Sequence, residues 1–293
     1  MTISIQAHED PVFFREAVNF TAAQTRFLPR LIEKDYFCTL LLHYLAAADP
    51  SLVFKGGTCL AKVHADFYRL SEDLDFVIPT PGDASRAQRR NLAVRLKEAT
   101  NGIEADLKPF RMVEPLRGAN NSTQYVAAIA YPSLLSSQKE TVKIEVGLRE
   151  PLLKPICNGQ ARTLLLNPIS NRPMVTAFSV PCLSREEAMA EKLRAALSRR
   201  EVAIRDFYDI DYAVRKLDLD LQEPALLALT RGKLSVTGNE PADVTASRLA
   251  ALRPQLASQL KPVLRPQDYE TFDLEAVFQK VAAMASLLEK DLF

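Results

Sequence analysis

The sequence lacks tryptophan altogether and has only three histidines and four cysteines. The cysteines are Cys38, Cys59, Cys157 and Cys182. None of them forms the closely spaced pairs that are typical of zinc fingers or thioredoxin-like motifs. His8, His43 and His64 likewise lack the spacing of metal ligands. We therefore interpret the cysteines as reduced, buried thiols and assign the histidines no function.

An excess of one charge and a long apolar run are also missing. The chain has 37 Lys+Arg against 36 Asp+Glu, which excludes a strongly basic protein that coats nucleic acid, so any such contact requires a local patch. The longest apolar runs, such as 38–48, are too short to span a bilayer. The N-terminus lacks the basic and apolar regions of a signal peptide. These features predict a cytoplasmic protein without membrane association.

The first half of the sequence alternates helical and strand patterns. Hydrophobic residues make up 47% of the chain and charged residues 25%, as in globular proteins. Helical periodicity predicts two helices over 10–48, where the charged triplet Glu33-Lys34-Asp35 interrupts the apolar run. A short strand over 51–55 ends in Gly56-Gly57, and a helix is predicted over 58–67. This order is a strand, a tight glycine turn and a helix.

Further strands are expected before the chain becomes helical. The pattern predicts strands over 74–79, 123–131, 141–149 and 175–180, with a helix over 83–107. The polar linker between the second and third of these strands favours antiparallel neighbours. From Arg185 onward almost everything reads as helix. We therefore predict an α+β fold with a small mixed sheet, divided into residues 1–184 and a helical domain over 185–293.

Two carboxylates on one predicted strand are the main chemical signal. Side chains alternate along a strand, so Asp73 and Asp75 share one face while Leu74 and Phe76 point into the core. Adjacent carboxylates repel each other unless a cation lies between them, and oxygen ligands with open positions suit Mg²⁺. If the strand over 141–149 is a neighbour, Glu145 joins this face. The alternatives are a solvated strand face, with Glu145 exposed and paired with a lysine.

The glycine turn makes this interpretation more specific. Gly56 and Gly57 allow the backbone to approach a bound group closely, and amides at the following helix start, at Thr58, could cradle phosphate. A double glycine alone is a weak signal. A glycine turn and an Asp-x-Asp strand separated by one helix predict a nucleotide site with metal-holding carboxylates.

The order of several motifs resembles a known family. Lys55-Gly56-Gly57-Thr58 is followed by Arg69-x-Ser71-x-Asp73-Leu74-Asp75-Phe76. Around these lie Glu33-Lys34-Asp35-Tyr36, Glu191-Lys192-Leu193-Arg194-Ala195 and Arg205-Asp206-Phe207-Tyr208-Asp209. The set resembles the AbiEii toxin family, also called the MenT-type nucleotidyltransferase-like toxins. The resemblance spans about residues 33–213.

The resemblance implies a fold, an activity and a set of partners. It implies a DNA-polymerase-β-like nucleotidyltransferase core with a helical C-terminal half, acting as the toxin of a two-gene pair. Such toxins use a nucleoside triphosphate with Mg²⁺, and some add nucleotides to the acceptor end of tRNA. The cognate antitoxin is expected to be a winged-helix type regulator.

Individual roles follow from the same resemblance. The metal carboxylates fall on Asp73 and Asp75. The phosphate-turn residues are Gly56, Gly57 and Ser71, while Thr58 or Ser71 could supply the hydroxyl that meets phosphate. The essential lysine falls on Lys192 and the late aspartate on Asp206, although Asp209 lies one helical turn away and faces the same way.

The basic residues around Lys192 offer a candidate surface for phosphate. Lys192 and Arg199 are seven residues apart on a predicted helix, so both should project from one stripe. We expect Lys192 to serve the nucleotide, and Arg199 with Arg200 to contact an RNA backbone. The alternatives are a solvated helix face and, for Asp206, a helix cap.

The sequence is also compatible with two other functions. The same chemistry could modify a protein or a small hydroxylated molecule instead of tRNA. The chain could also be a binding protein that keeps a nucleotidyltransferase fold without turnover. Two paired carboxylates argue against simple binding, because binding alone does not require them.

Overall fold

The computed structural model describes residues 6–290. The chain forms two compact units. Unit 1 contains the chain up to Leu152 together with Ile156–Cys182, and unit 2 contains Leu153–Pro155 and the chain from Leu183 onward. No helix described within residues 6–290 is both long enough and apolar enough to cross a membrane.

Unit 1 is built on one seven-stranded mixed sheet. Its strands are β1 (Val53–Lys55), β2 (Leu74–Val77), β3 (Arg111–Ala119), β4 (Gln124–Pro132), β5 (Lys139–Gly147), β6 (Cys157–Ala161) and β7 (Phe178–Cys182). The order across the sheet is β3-β4-β5-β2-β1-β7-β6. The pairs β2/β5 and β1/β7 are parallel, and the other neighbours are antiparallel. The predicted α+β fold with a mixed sheet is confirmed.

Helices accompany this sheet in unit 1. They are α1 (Pro11–Thr25), α2 (Pro29–Ala48), α3 (Gly56–Cys59), a π-helical turn (Leu60–His64), α4 (Arg86–Leu92) and α5 (Val94–Asp106). Asp10 caps α1 by accepting from the amides of Val12 and Phe13. The left-handed conformation of Arg26 ends α1, and Pro29 begins α2 at a position where its missing N–H costs nothing.

The break between α1 and α2 does not lie at the charged triplet, where the charge pattern predicts it. The triplet Glu33-Lys34-Asp35 does not interrupt helix; it lies inside α2, and all three residues are buried. Each of these charges has a partner from elsewhere in unit 1, described below. Buried charges are tolerated only with such partners, so the triplet indicates packing within the core.

The middle of the sheet places apolar and acidic residues on opposite faces. Leu74 of β2 pairs with Ile144 of β5, and Phe76 pairs with Val146. These four side chains are almost fully buried. Between them, Asp75 pairs with Glu145, and both are only partly buried. Strand alternation thus turns the two carboxylates away from the apolar core.

Two strands and one helix break escaped the sequence pattern. Strand β3 has charged residues, Pro115 and mostly exposed side chains, because it lies at one edge of the sheet. Strand β6, at the other edge, contains Gly159 and also lacks apolar alternation. The helix predicted over 83–107 is two helices, because Ala93 leaves helical geometry between α4 and α5.

The regular elements that the structure describes in unit 2 are all helices, as predicted. Its α-helices are α6 (Arg185–Ser198), α7 (Ile204–Lys216), α8 (Pro224–Leu234), α9 (Ala246–Leu252), α10 (Pro266–Glu270) and α11 (Leu274–Lys290). Lys233 of α8 is fully buried and pairs with Glu187 of α6 at 2.7 Å and Glu191 at 3.3 Å. This ion cluster joins α6 and α8.

Candidate active site

Strand β2 brings three acidic residues of unit 1 together at the centre of the sheet, namely Asp73, Asp75 and Glu145. Asp75 lies opposite Lys55 on one side and beside Glu145 on the other. Asp73 directly precedes the strand. The strand over 139–147 is therefore a neighbour, and the condition for Glu145 to join the aspartates is met.

The acidic face is partly neutralised by lysine. Lys143 Nζ lies 2.7 Å from Glu145 Oε2, and Gln124 donates to Glu145 Oε1 at 2.7 Å. Burial alone would raise the pKa of Glu145, but these hydrogen bonds and the lysine charge outweigh it and lower the pKa. The hydrogen bond to Glu145 and the charges of Asp73 and Asp75 raise the pKa of Lys143. Lys143 therefore experiences the field of all three carboxylates.

The glycine turn lies against this face, and its glycines are required by close approach. Gly56 has φ +75°, and a Cβ at this position would lie 2.3 Å from Asp75 Oδ2. A Cβ on Gly57 would lie 2.3 Å from Nη2 of Arg69. Any side chain at either position would displace a charged group of the motif Arg69–Phe76.

Two hydroxyls predicted to meet phosphate have different surroundings. Thr58 is buried, and its hydroxyl donates to the backbone carbonyl of Asp73. This bond ties α3 to the residue that precedes β2. Ser71 is partly buried and lies two residues before Asp73. Of the two, Ser71 is the more accessible hydroxyl.

The charged triplet of α2 supports the same region, a role not assigned from the sequence. Lys34 Nζ lies 3.3 Å from Glu72 Oε1, and Arg30 contacts the same oxygen at 2.7 Å. Burial alone would raise the pKa of Glu72, but these two cations outweigh it and lower the pKa. Glu33 accepts from the hydroxyl of Ser133 at 2.7 Å. The sequence signals for these contacts were charges inside an apolar helical run and the place of this segment among the motifs of the family resemblance.

Asp35 forms a second buried network. It pairs with Lys62 Nζ, and its other oxygen accepts from Thr163 Oγ1 at 3.0 Å and from the amide of Leu164 at 2.7 Å. Lys62 belongs to the π-helical turn that follows α3. Asp35 thus joins α2 to the segment after the glycine turn.

Unit 2 contains its own cluster of charged residues. Lys192 Nζ lies 2.8 Å from Asp206 Oδ1 and 2.9 Å from Asp209 Oδ2. Arg199 lies 3.2 Å from the other oxygen of Asp206. Both aspartates are buried, and the side chain of Lys192 is 13% exposed. The geometry brings Lys192, Asp206 and Asp209 together, and the lysine lies almost equally close to the two aspartates.

Two details of this region differ from the predicted ones. Helix α6 ends at Ser198, so Arg199 has extended geometry and does not share a helical stripe with Lys192. It reaches the same cluster from the chain beyond the helix. Asp206 is the third residue of α7, but its side chain makes no capping bond and is instead held by the two cations.

Arg199 and Arg200 are exposed and line one groove of unit 2. The groove has a volume of about 640 Å³, and its other lining residues include Glu240, Asp243 and Arg248. Arg248 is buried and donates to the carbonyls of Ala196 and Arg199 at the end of α6. It therefore stabilises the helix end, while the other two arginines face the groove.

Comparison with known proteins identifies the family. The model of a family described as nucleotidyl transferase AbiEii toxin, type IV TA system, matches residues 39–283. The chain belongs to this family. It is thus a nucleotidyltransferase of a type IV toxin–antitoxin family. The matched residues include the glycine turn, the carboxylate strand and the Lys192 cluster, whereas the charged triplet of α2 precedes them.

Solved structures of two other proteins are similar to this AbiEii-family chain to different extents. One is MenT4, a nucleotidyltransferase toxin from Mycobacterium tuberculosis H37Rv, at a TM-score of 0.59 and 19% identity, with 94% of this chain and 98% of that chain covered. Another is JHP933 from Helicobacter pylori, at a TM-score of 0.45 and 17% identity, with 94% and 93% covered. A search of curated proteins finds no match.

Proposed function

We propose that this AbiEii-family protein transfers a nucleoside monophosphate from a nucleoside triphosphate to the acceptor end of tRNA and thereby blocks translation. The observation that supports the transfer chemistry is the close approach of the Gly56 backbone to the Asp75 carboxylate, which belongs to a strand that directly follows Asp73. A phosphate that approaches the glycine turn would meet these carboxylates at once. A cytoplasmic location accompanies the proposal, because its substrates are found there.

The acidic face fits a divalent cation. Asp73, Asp75 and Glu145 supply oxygen ligands, while Lys55 lies opposite Asp75 by strand register and Lys143 is coupled to all three carboxylates. Mg²⁺ takes such oxygen ligands and retains positions for water and phosphate. We assign Asp73 and Asp75 as its ligands. Glu145 would be a third ligand if Lys143 released its carboxylate.

The chain's own residues would position the nucleotide. The glycine turn at Gly56 and Gly57 would let the triphosphate approach the backbone closely, and Ser71 would donate its hydroxyl to phosphate. Thr58 fixes the turn against Asp73 through its bond to the backbone carbonyl. When bound, the cation would neutralise phosphate charge as pyrophosphate leaves.

The assignments in unit 2 follow the family pattern. Lys192 is proposed to bind triphosphate and Asp206 to hold that lysine or to accept the acceptor's proton. Their contact at 2.8 Å supports the holding role. Asp209 holds the lysine equally closely, at 2.9 Å, so Asp206→Asn and Asp209→Asn should be compared directly.

The test of the transfer chemistry uses labelled nucleotides. The protein is incubated with each labelled nucleoside triphosphate, Mg²⁺ and separated pools of tRNA, protein and small molecules. We expect label in tRNA alone. Asp73→Asn and Asp75→Asn should lower the rate by roughly 10²–10³-fold, because lost cation binding is worth several kcal/mol in the transition state. The exposed Asp83→Asn is the matched control and should retain full activity.

Other results would change the proposal in defined ways. Label in the protein or small-molecule pool would keep the chemistry and replace the acceptor. Absence of transfer together with absence of Mg²⁺-dependent nucleotide binding would favour a binding protein on the same fold. If a winged-helix protein encoded by the adjacent gene restored growth when the two proteins were co-expressed, this would support its assignment as the antitoxin.

The acceptor has its own test at the arginine groove. Arg199→Glu and Arg200→Glu should weaken tRNA binding and reduce the slope of log affinity against log salt by about one unit for each lost phosphate contact. Binding of the nucleoside triphosphate should stay unchanged in Arg200→Glu, because Arg200 lies outside the Lys192 ion pairs. An unchanged salt slope in both variants would mean that RNA binds elsewhere.

A further inference from the structure

Three potential metal ligands meet in unit 1, two of them five residues apart and the third far along the chain. They are Cys59, His64 and Cys182, and their ligating atoms all lie within 4.8 Å of one another. Both cysteines are buried and the histidine is partly buried. The group lies on residues that the nucleotidyl transfer described above does not use.

The π-helical turn is what places the histidine beside the first cysteine. In an α-helix with 3.6 residues per turn, residues five apart point about 140° away from each other. In a π-helix, hydrogen bonds join residues i and i+5, so two residues five apart are about one turn apart and point to a similar side. The turn Leu60–His64 follows Cys59 directly, so the widened helix brings His64 round to the side of Cys59. Turns of this kind are frequent at functional sites.

The sheet supplies the third ligand. Strand β7 runs parallel to β1, with Cys182 paired with Phe54, and the chain enters α3 just after β1. Cys182 therefore lies beside the element that carries Cys59. Its sulfur accepts hydrogen bonds from the Cys59 thiol, the His64 ring and the backbone N–H of Gly159.

A glycine on β6 makes room for this sulfur. A Cβ at Gly159 would lie 2.9 Å from Cys182 Sγ and 2.3 Å from a methyl carbon of Val63. Glycine thus lets the backbone amide approach the sulfur. Backbone N–H bonds to a sulfur stabilise its thiolate form, which is the form that binds metal.

We propose that Cys59, His64 and Cys182 form a binding site for a thiolate-preferring transition metal, with Zn²⁺ as the expected ion. Two sulfurs and one imidazole are a ligand set that Zn²⁺ takes in proteins, with a water in the fourth position. With Zn–S at about 2.3 Å and Zn–N at about 2.0–2.1 Å, tetrahedral ligand atoms lie roughly 3.6–3.8 Å apart. The separations of at most 4.8 Å need to shorten by no more than about 1.2 Å to reach this geometry.

The site would act on the glycine turn through the backbone. Cys59 directly follows Thr58, whose hydroxyl is bonded to Asp73. A bound ion would therefore fix α3 at both of its last two residues. The role is structural, and the proposal stands independently of the identity of the acceptor.

The main rival is a disulfide. Cys59 and Cys182 are close enough in space to be considered for oxidation, whereas Cys157 lies opposite Cys182 in the sheet with an exposed side chain. The exposure of Cys157 also corrects the expectation that all four thiols are buried. A metal site requires His64, but a disulfide does not, and this difference decides between them.

The experiment measures metal binding by the full chain. Protein purified under reducing conditions is freed of metal, and Zn²⁺ and Co²⁺ are titrated separately. We expect one Zn²⁺ per chain and, with Co²⁺, a thiolate-to-cobalt charge-transfer band that Zn²⁺ displaces. Carboxylates cannot produce this band, so it distinguishes the proposed site from Asp73 and Asp75.

Single substitutions then identify the ligands. Cys59→Ser, Cys182→Ser and His64→Gln should each weaken Zn²⁺ binding by at least roughly 100-fold, beyond the 10–100-fold typical of residues that only support a ligand. Cys38→Ala is the matched control, because Cys38 is a buried thiol that contacts the carbonyl of Glu72 instead. It should bind Zn²⁺ as the wild type does.

Two outcomes would overturn the proposal. One is a wild-type chain that binds no Zn²⁺ and shows no charge-transfer band, whatever the variants do. The other is unchanged Zn²⁺ affinity in folded His64→Gln, since the cysteines alone would then account for the binding. Circular dichroism of each variant establishes that it is folded.

Discussion

Replacing Asp35 by alanine should reduce the stability of unit 1 severely. The substitution removes the partner of Lys62, whose side chain is 1% exposed. It also removes the acceptor for the hydroxyl of Thr163 and the amide of Leu164. An ammonium and two neutral donors would be left inside the protein without their carboxylate.

The magnitude follows from these losses. Removing one partner of a buried ion pair costs about 3–5 kcal/mol, and an unsatisfied buried donor costs about 1–3 kcal/mol. Lys62 keeps contacts with Thr39 Oγ1 at 2.7 Å and with the carbonyl of Arg162 at 3.4 Å. These oxygens reduce the penalty on the ammonium. We therefore expect a total loss of about 3–5 kcal/mol.

A paired variant separates charge from hydrogen bonding. Asp35→Asn combined with Lys62→Met removes both charges but keeps an acceptor for Leu164, so it should lie within about 1–2 kcal/mol of the wild type. Urea unfolding followed by far-ultraviolet circular dichroism measures both variants, since the chain has no tryptophan to serve as a fluorescent reporter. Hydrogen exchange locates the destabilised unit.

Either of two results would contradict a purely structural role for the Asp35 charge. If Asp35→Ala left the unfolding midpoint unchanged but abolished nucleotide transfer, Asp35 would take part in the chemistry. If the paired variant were as unstable as Asp35→Ala, the buried charge would not be the cause.

Three further predictions concern activity. Gly56→Ala should lower transfer at least tenfold, because it strains a left-handed backbone by about 1–2 kcal/mol and displaces the Asp75 carboxylate; Gly82→Ala, with open space around it, is the control. Lys192→Met should weaken nucleotide binding more than Lys192→Arg, as calorimetry can measure. If both variants bound every nucleotide as tightly as the wild type, Lys192 would lie outside the site. Chelation should abolish transfer and added Mg²⁺ restore it, whereas activity that persists in chelator would remove the metal from the mechanism.

The central strands were predictable because their pattern is local. Asp73 and Asp75 alternate with Leu74 and Phe76, and strand geometry alone separates their faces. Placing Glu145 beside Asp75 required the pairing of β2 with β5. From the sequence, this pairing could be given only as a condition, because β3 and β4 lie between the two strands in the chain.

Other features depend on contacts that no local pattern encodes. The charged triplet of α2 looked like an interruption, since its partners Glu72, Lys62 and Ser133 lie far away in sequence. The end of α6 at Ser198 was missed because Arg199 and Arg200 are compatible with helix by propensity. The meeting of Cys59 with Cys182 depends on the parallel pairing of β1 with β7.

The route of the chain through Leu153–Pro155 restricts how the protein can be dissected. These three residues belong to unit 2, where the amides of Leu153 and Lys154 donate to Glu187 at 3.0 and 2.8 Å. A polypeptide that begins after Cys182 would leave the buried Glu187 carboxylate without these donors. A polypeptide that ends there would carry a segment separated from its acceptor. Separate expression of the two halves would therefore perturb both, and point substitutions are the sounder way to divide their roles.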